Sequence, residues 1–262
     1  LGLAPDTEAS VSFRVQTVLS PYQEMMSDAV SLTVTPYSSI LDLSTNLGVV
    51  GSATPGGWGN ANIVDLPFWT TSNPDELVAY VTLRDGEIKF RNDNLWTENW
   101  GGTLDASPED PYVASGDLVA SGDNIPVSAG TYKIVVNLTT LRWTMQEYSW
   151  GIVGSATPNA WDGPDVPLTY NSYSDDWRTV VTLADGEAKF RFNNDWGTNF
   201  GGTGLAGSLV ASGDNIAVSA GHYLVIVNFN TNEYSFEQMD VWGLVGSATE
   251  NAWDGPNQKF VP

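Results

Sequence analysis

Tryptophan is the residue type with the most chemical promise in this chain: there are eleven in 262 residues. Several lie in stretches rich in Gly, Asn and Pro rather than in apolar runs. Trp58 sits in TPGGWGN, Trp161 in TPNAWDGP, Trp253 in TENAWDGP, Trp96 in NDNLWTENWGG and Trp196 in NNDWGTNFGG. Burial in its own domain would explain any one of these. Trp at the same loop position in three places argues for a further role. The axial C–H groups of a pyranose form an apolar, slightly positive patch that suits the negative face of an indole, while its hydroxyls point outward to polar groups. Stacking of a flat ligand on an aromatic is worth about 1–3 kcal/mol in the nucleic-acid case, and a sugar should sit at or below that. Two Trp set at an angle would follow a curved chain of sugars.

The basic residues lead to the same loops. Only ten exist, and four of them are Lys89, Arg91, Lys189 and Arg191. In a strand, Lys89 and Arg91 share one face and Phe90 takes the other. The Lys-Phe-Arg strand is therefore expected to offer two donors on its solvent side, just before the Asn/Trp loop. A solvated face beside Glu87 or Glu187 explains the same pattern. Asn94 and Asn194, with Asn99, Asn193 and Asn199, are candidate hydrogen-bonding groups, and turn formation accounts for them equally well.

Catalytic constellations are missing. The sole His, His222, is matched by Thr131 in the related stretch, so no repeated Ser-His-Asp set can be built. Neither HExxH nor an EF-hand run of acids occurs. The repeated acids (Asp85/Asp185, Glu87/Glu187, Asp123/Asp214) sit at turns or strand starts. No catalytic residue, metal site or cofactor is expected.

The elements that must position these residues come from an internal repeat. LGVVGSAT (47–54), WGIVGSAT (150–157) and WGLVGSAT (242–249) are three copies of one motif. Gly48 to Gly151 is a step of 103 residues and Gly151 to Gly243 one of 92, the size of a small sandwich domain. VTLRDGEIKF (81–90) aligns with VTLADGEAKF (181–190), and LVASGDNIPVS (118–128) with LVASGDNIAVS (209–219). The first copy carries extra residues around Leu104–Asp117. With 26 Gly, 14 Pro and no long stretch at helical spacing, each copy reads as about seven short strands. Asp85-Gly86 and Asp185-Gly186, between alternating apolar strands, read as type I′ hairpin turns. The fold class is all-β, with tandem immunoglobulin-like β-sandwich modules. Residues 1–40 read as the end of an N-terminal immunoglobulin-like domain, 46–149 as a first carbohydrate-binding module, 150–240 as a second, and 241–262 as the truncated start of a third.

Charge narrows the partners. Thirty-one acidic against ten basic residues give a formal −21, which repels nucleic acid and anionic membrane surfaces and does not penalise a neutral ligand. There is no Cys, so disulfides and thiolate chemistry are excluded.

Taken together, WGxVGSATPNAWDG, DGExKFRxxNDWxxNFGG and SAGxYxIxxN make the chain over 46–262 resemble the SusE/SusF-like family of starch-binding outer-membrane lipoproteins. The resemblance implies a non-enzymatic, surface-exposed protein, lipid-anchored through a segment missing from this chain, that holds malto-oligosaccharide or starch, an α-glucan, for an outer-membrane transporter complex. It implies sites of two aromatics with a Lys or Arg and polar neighbours: Trp161, Trp196 and Lys189 in the second copy, Trp58, Trp96 and Lys89 in the first. The first copy departs from the pattern: it lacks Asp-Gly-Pro after Trp58 and has Trp100 where the second has Phe200. Two other readings stand beside this one, a structural or adhesive immunoglobulin-like array and an accessory region of a glycoside hydrolase.

Overall fold

The structure, a computed structural model, describes residues 7–20, 23–35, 41–59, 63–249, 252–254 and 258–259. The chain divides into two compact units, Leu1–Leu41 and Asp42–Pro262. The first holds strands β1 (Ala9–Phe13), β2 (Gln16–Ser20), β3 (Gln23–Met26) and β4 (Val30–Val34). β1 pairs with β4 and β2 with β3, both antiparallel. The run VSFRVQTVL thus contributes to two strands, broken at Arg14–Val15. Phe13, Val30 and Leu32 are exposed.

In the second unit the first copy folds into β5 (Ser44–Val50), β6 (Leu66–Thr70), β7 (Glu76–Leu83), β8 (Gly86–Asn92), β9 (Asn99–Gly102), β10 (Ala114–Ala120), β11 (Ile125–Val127), β12 (Gly130–Asn137) and β13 (Arg142–Glu147). The order is β11-β8-β5-β6-β7-β12-β13-β10-β9, and β9 pairs back onto β8, so hydrogen bonds run right round the module. The second copy comprises β14 (Trp150–Val153), β15 (Val166–Pro167), β16 (Thr169–Asn171), β17 (Asp176–Leu183), β18 (Gly186–Phe192), β19 (Asp195–Gly201), β20 (Ala206–Ser208), β21 (Val210–Ala211), β22 (Ile216–Val218), β23 (Gly221–Asn228) and β24 (Glu233–Gln238). Here the path divides into two sheets, β15-β14-β18-β19-β21, with β22 on β18, and β16-β17-β23-β24-β20. The breaks fall at Leu168 and Leu209, both buried. Both copies are β-sandwiches. They exceed the expected seven strands because short edge segments such as β11 and β22 also pair.

Period-2 alternation builds each core. Tyr132, Ile134 and Val136 of β12 point inward with Val49, Phe68, Ile88 and Phe90. Tyr223, Val225 and Val227 do the same in the second copy with Ile152, Phe190 and Ile216. Trp143 is fully buried in the first core, and Gly102 and Gly116 make room for it, since a Cβ at either would meet its Nε1 at 2.5 or 3.1 Å.

The Asp-Gly pairs do not form hairpins. β7 bonds to β6 and β12, whereas β8 bonds to β5, β9 and β11, so Arg84–Asp85 arch from one layer to the other. Asp85 Oδ1 accepts from Ala129 N and Asp185 Oδ1 from Ala220 N, each at 2.8 Å. The glycines are needed for close approach: a Cβ on Gly86 would lie 2.8 Å from Ser52 Oγ, and one on Gly186 2.8 Å from Ser155 Oγ. The expected left-handed hairpin lies one connection later. Asn193 and Asn194 have φ of 50° and 53°, between the paired residues Phe192 and Asp195. Two left-handed residues there make the type I′ turn, and Asn tolerates that region best among non-glycines.

The two copies meet through aromatic side chains. Tyr80 stands on β7 opposite Lys133, on the face turned away from the first core. Its ring lies 4.7 Å from Tyr170, 4.9 Å from Trp177 and 5.3 Å from Tyr148 between centroids, all residues that follow β13, and it packs against the second core. Lys133 Nζ lies 5.6 Å from the Tyr148 ring centroid. Burial pushes the Tyr80, Tyr148 and Tyr170 hydroxyls up from the usual tyrosine range, with the Asp175 carboxylate adding to each.

Tyr80→Ala is therefore expected to cost about 3 kcal/mol in urea unfolding, against well under half that for Val180→Ala, its counterpart in the second copy. The sign of the pH effect follows from the raised hydroxyls. Their contribution is whole below the unfolded tyrosine value of about 10 and is lost as pH rises beyond it. Stability should fall above pH 10, and more shallowly in a Tyr80→Phe/Tyr148→Phe variant.

Candidate functional site: paired tryptophans over a buried ion pair

The first member of each pair is carried by a loop that folds on its own hydrogen bonds. In the second copy Gly154 N donates to Ala160 O, Thr157 N to Gly154 O and Ala160 N to Thr157 O, at 2.9–3.1 Å, and Thr157 Oγ1 also donates to Gly154 O. Gly51, Thr54 and Gly57 repeat this in the first copy, as do Gly246, Thr249 and Ala252 in the third. The residue before the Trp is left-handed each time: Gly57 at φ 59°, Ala160 at 49° and Ala252 at 49°. The Gly-Ser-Ala-Thr motif is thus a device for presenting Trp58, Trp161 and Trp253.

The second member comes from the connection after the Lys-Phe-Arg strand. Trp96 follows left-handed Asp93 and Asn94, and Trp196 follows the Asn193-Asn194 turn. Asn99 Nδ2 donates to Trp96 O and Asn199 Nδ2 to Trp196 O, both at 2.9 Å. The Oδ1 atoms of these two amides are buried without a partner in both copies.

These pieces bring two indoles together twice. Trp161 and Trp196 have ring centroids 6.0 Å apart and planes at 39°, and Trp58 and Trp96 are 6.2 Å apart at 37°. Trp58, Trp96 and Trp196 are exposed, and Trp161 is half-buried. At this spacing no sugar ring fits between the indoles. A ligand has to lie across them.

Beneath each pair is an arginine. The guanidinium carbon of Arg191 lies 4.8 Å from the Trp196 centroid, and that of Arg91 4.7 Å from Trp96, in cation–π range. Both arginines are only 3–4% exposed, each forked onto an equally buried carboxylate: Arg191 to Asp165 at 2.7 and 2.8 Å, Arg91 to Asp65 at 2.6 and 2.8 Å. Asp165 N donates to Asn194 Oδ1 and Asp65 N to Asn94 Oδ1, at 2.8 and 2.9 Å. Loop and hairpin are therefore joined by an ion pair and an amide clasp.

This corrects the expected solvent-facing donors. On that face the loop carrying Asp65 covers Arg91 and the loop carrying Asp165 covers Arg191. Lys189 is buried and its Nζ donates to Gly213 O at 2.7 Å; Lys89 is half-buried. Asn94 and Asn194 spend their carbonyl oxygens on the clasp. The partners that sequence reasoning missed, Asp65 and Asp165, carry a readable signal: each is followed by an apolar residue and Pro, Asp65-Leu66-Pro67 and Asp165-Val166-Pro167. The absent Asp-Gly-Pro after Trp58 does not change the pair, whose geometry matches that of the second copy.

No match was found among curated proteins. Among solved structures, SusF from Bacteroides thetaiotaomicron aligns over 98% of this chain and 65% of its own length, at 17% identity and a TM-score of 0.31; the chain thus spans less than two thirds of that protein. Residues 149–235, which include Trp161, Asp165, Arg191 and Trp196, match the family model for SusF/SusE starch-specific carbohydrate-binding modules. The second copy is thus similar to the SusF/SusE starch-specific carbohydrate-binding modules.

Proposed function

We propose that the chain is a non-catalytic glycan holder that binds starch or malto-oligosaccharide on Trp161/Trp196 and on Trp58/Trp96, at the bacterial surface, for delivery to an outer-membrane transporter. The observation that carries this reading is the duplicated platform: two indoles about 6 Å apart, tilted by 37–39°, over the same buried arginine. A tilt of that size matches a ligand whose successive rings turn, as α-linked glucose units do, better than a flat ribbon. Arg91 and Arg191 act here by fixing one indole of each pair. Lys89, Lys189, Asn94 and Asn194 frame the platform, and their contribution to the ligand runs through Asn Nδ2 atoms and the shape of the loops.

The arrangement sets the affinity scale. One or two stacked sugars, with hydroxyls that water also satisfies, give about −4 to −8 kcal/mol, a millimolar to micromolar site. Two such sites on one chain gain on a polymer long enough to reach both, and gain nothing on a short oligomer.

Trp161→Ala or Trp196→Ala should abolish maltoheptaose binding by the second copy and cost no more than about 1 kcal/mol of stability, read by calorimetry and urea unfolding; unfolding by either substitution would make that Trp a packing residue. On amylopectin, the chain with both pairs intact should bind tens of times more tightly than a Trp58→Ala/Trp96→Ala variant, while maltotriose affinity per site stays the same. Equal amylopectin affinity would reduce the first copy to a spacer.

A further inference from the structure

The face of the first copy that carries Tyr80 continues past the joint. Strand register puts three pairs side by side on β12 and β13: Lys133 with Gln146, Val135 with Thr144, and Asn137 with Arg142. The extra residues of the first copy fold over them. Val113 N donates to Met145 O at 2.8 Å, and Asp105 and Asp117 both pair with Arg142. Between this insertion and the sheet lies a cleft of about 340 Å³, with Tyr112 on its wall, at the low end of the roughly 300–1,000 Å³ usual for small-ligand sites.

The second copy has a cleft at the equivalent place, with different contents. Ile226, Asn228 and Ser235 occupy the positions of Val135, Asn137 and Thr144. Leu224 replaces Lys133, Glu237 replaces Gln146 and Glu233 replaces Arg142, and the lining includes Ala206 and Gly207 but no exposed-face aromatic from an insertion. The concavity thus belongs to the fold. The Tyr112 wall, the Gln146 amide and the two cations Lys133 and Arg142 belong to the first copy alone.

We propose that this cleft of the first copy is a second glycan subsite, taking one or two neutral hexose units of the same α-glucan chain. Tyr112 supplies a stacking face, Val135 an apolar floor, and Lys133, Gln146, Asn137 and Thr144 a mixed set of donors and acceptors for hydroxyls. An anion is disfavoured: Arg142 is already neutralised by two carboxylates, Lys133 leans on the Tyr148 ring, and the chain carries −21 overall. The inference rests on the function proposed above only for the identity of the sugar.

Nuclear magnetic resonance on the whole ¹⁵N-labelled chain, titrated with maltoheptaose, separates the two kinds of site. The loop platforms report through the indole N–H signals of Trp58, Trp96, Trp161 and Trp196, and the cleft through the amides of Val113 and of residues 144–146. In a chain with all four loop Trp changed to Ala, the cleft amides should still shift. Tyr112→Ala in the wild-type background should weaken that response about tenfold or more and leave the indole shifts unchanged. Indole shifts with a silent cleft in the wild-type chain would overturn the proposal and leave the loop sites standing. Cleft shifts with silent indoles would support it and overturn the loop sites. Silence at both would overturn both.

Discussion

A buried arginine–aspartate pair is the interaction on which each site depends. Arg191 and Asp165 are almost sealed from water, so both charges have given up hydration that costs several kcal/mol per ion. A two-pronged contact returns that cost only when the geometry is tight, and a planar guanidinium meets a carboxylate that way where an ammonium does not. Neighbouring positions follow from this demand. A Cβ on Gly151 would lie 2.4 Å from Asp165 Cβ, and one on Gly163 2.6 Å from an Arg191 nitrogen. Gly48 and Gly59 stand in the same relation to Asp65 and Arg91. Once the pair is made, the loop with Trp161 and the hairpin with Trp196 cannot move independently, and the angle between the indoles is set before any sugar arrives. Pre-organisation of this kind lowers the ordering cost of binding, which matters most for a ligand that offers little beyond stacking.

Much of this was legible in the chain. Three Gly-Ser-Ala-Thr motifs marked the repeat, alternation marked the strands, and recurring loop Trp marked the residues that come together as indole pairs. What alternation cannot say is whether an outward face stays in water. It put Arg191 and Lys189 together on the face opposite Phe190, and the structure closes that face from two sides, with Asp165 26 positions before Arg191 and Gly213 24 positions after Lys189. The Asp-Gly pairs misled because a hairpin and an arch between layers both need a tight bend; long-range strand pairing decides between them, and the decisive contact, Gly86 against Ser52, is non-local. Tyr80 is the clearest case of hidden identity. By sequence it belongs to the first copy, by packing to the core of the second, and its counterpart Val180 gives no hint of that.

Eight of the eleven Trp divide by environment. Trp143 and Trp150 are core residues, and Trp177 lies in the aromatic joint. Trp58, Trp96, Trp161 and Trp196 form the two platforms. Trp253 sits on the third copy of the loop and is 72% exposed. The joint links the platforms mechanically: with Tyr80 packed among Tyr148, Tyr170 and Trp177, the first and second copies present their indoles from one body. On the proposed function, a polymer would meet two sites at a fixed separation, without the entropy cost of a floppy linker.

On the proposed function, the tilted indole pairs are the surfaces on which α-glucan rests. A crystal structure of the protein with maltoheptaose tests it most directly. Glucose rings should lie against the faces of Trp161 and Trp196, and against Trp58 and Trp96, with the Arg191–Asp165 and Arg91–Asp65 pairs unmoved. Maltoheptaose bound only at other surfaces, with both indole pairs bare, would contradict it.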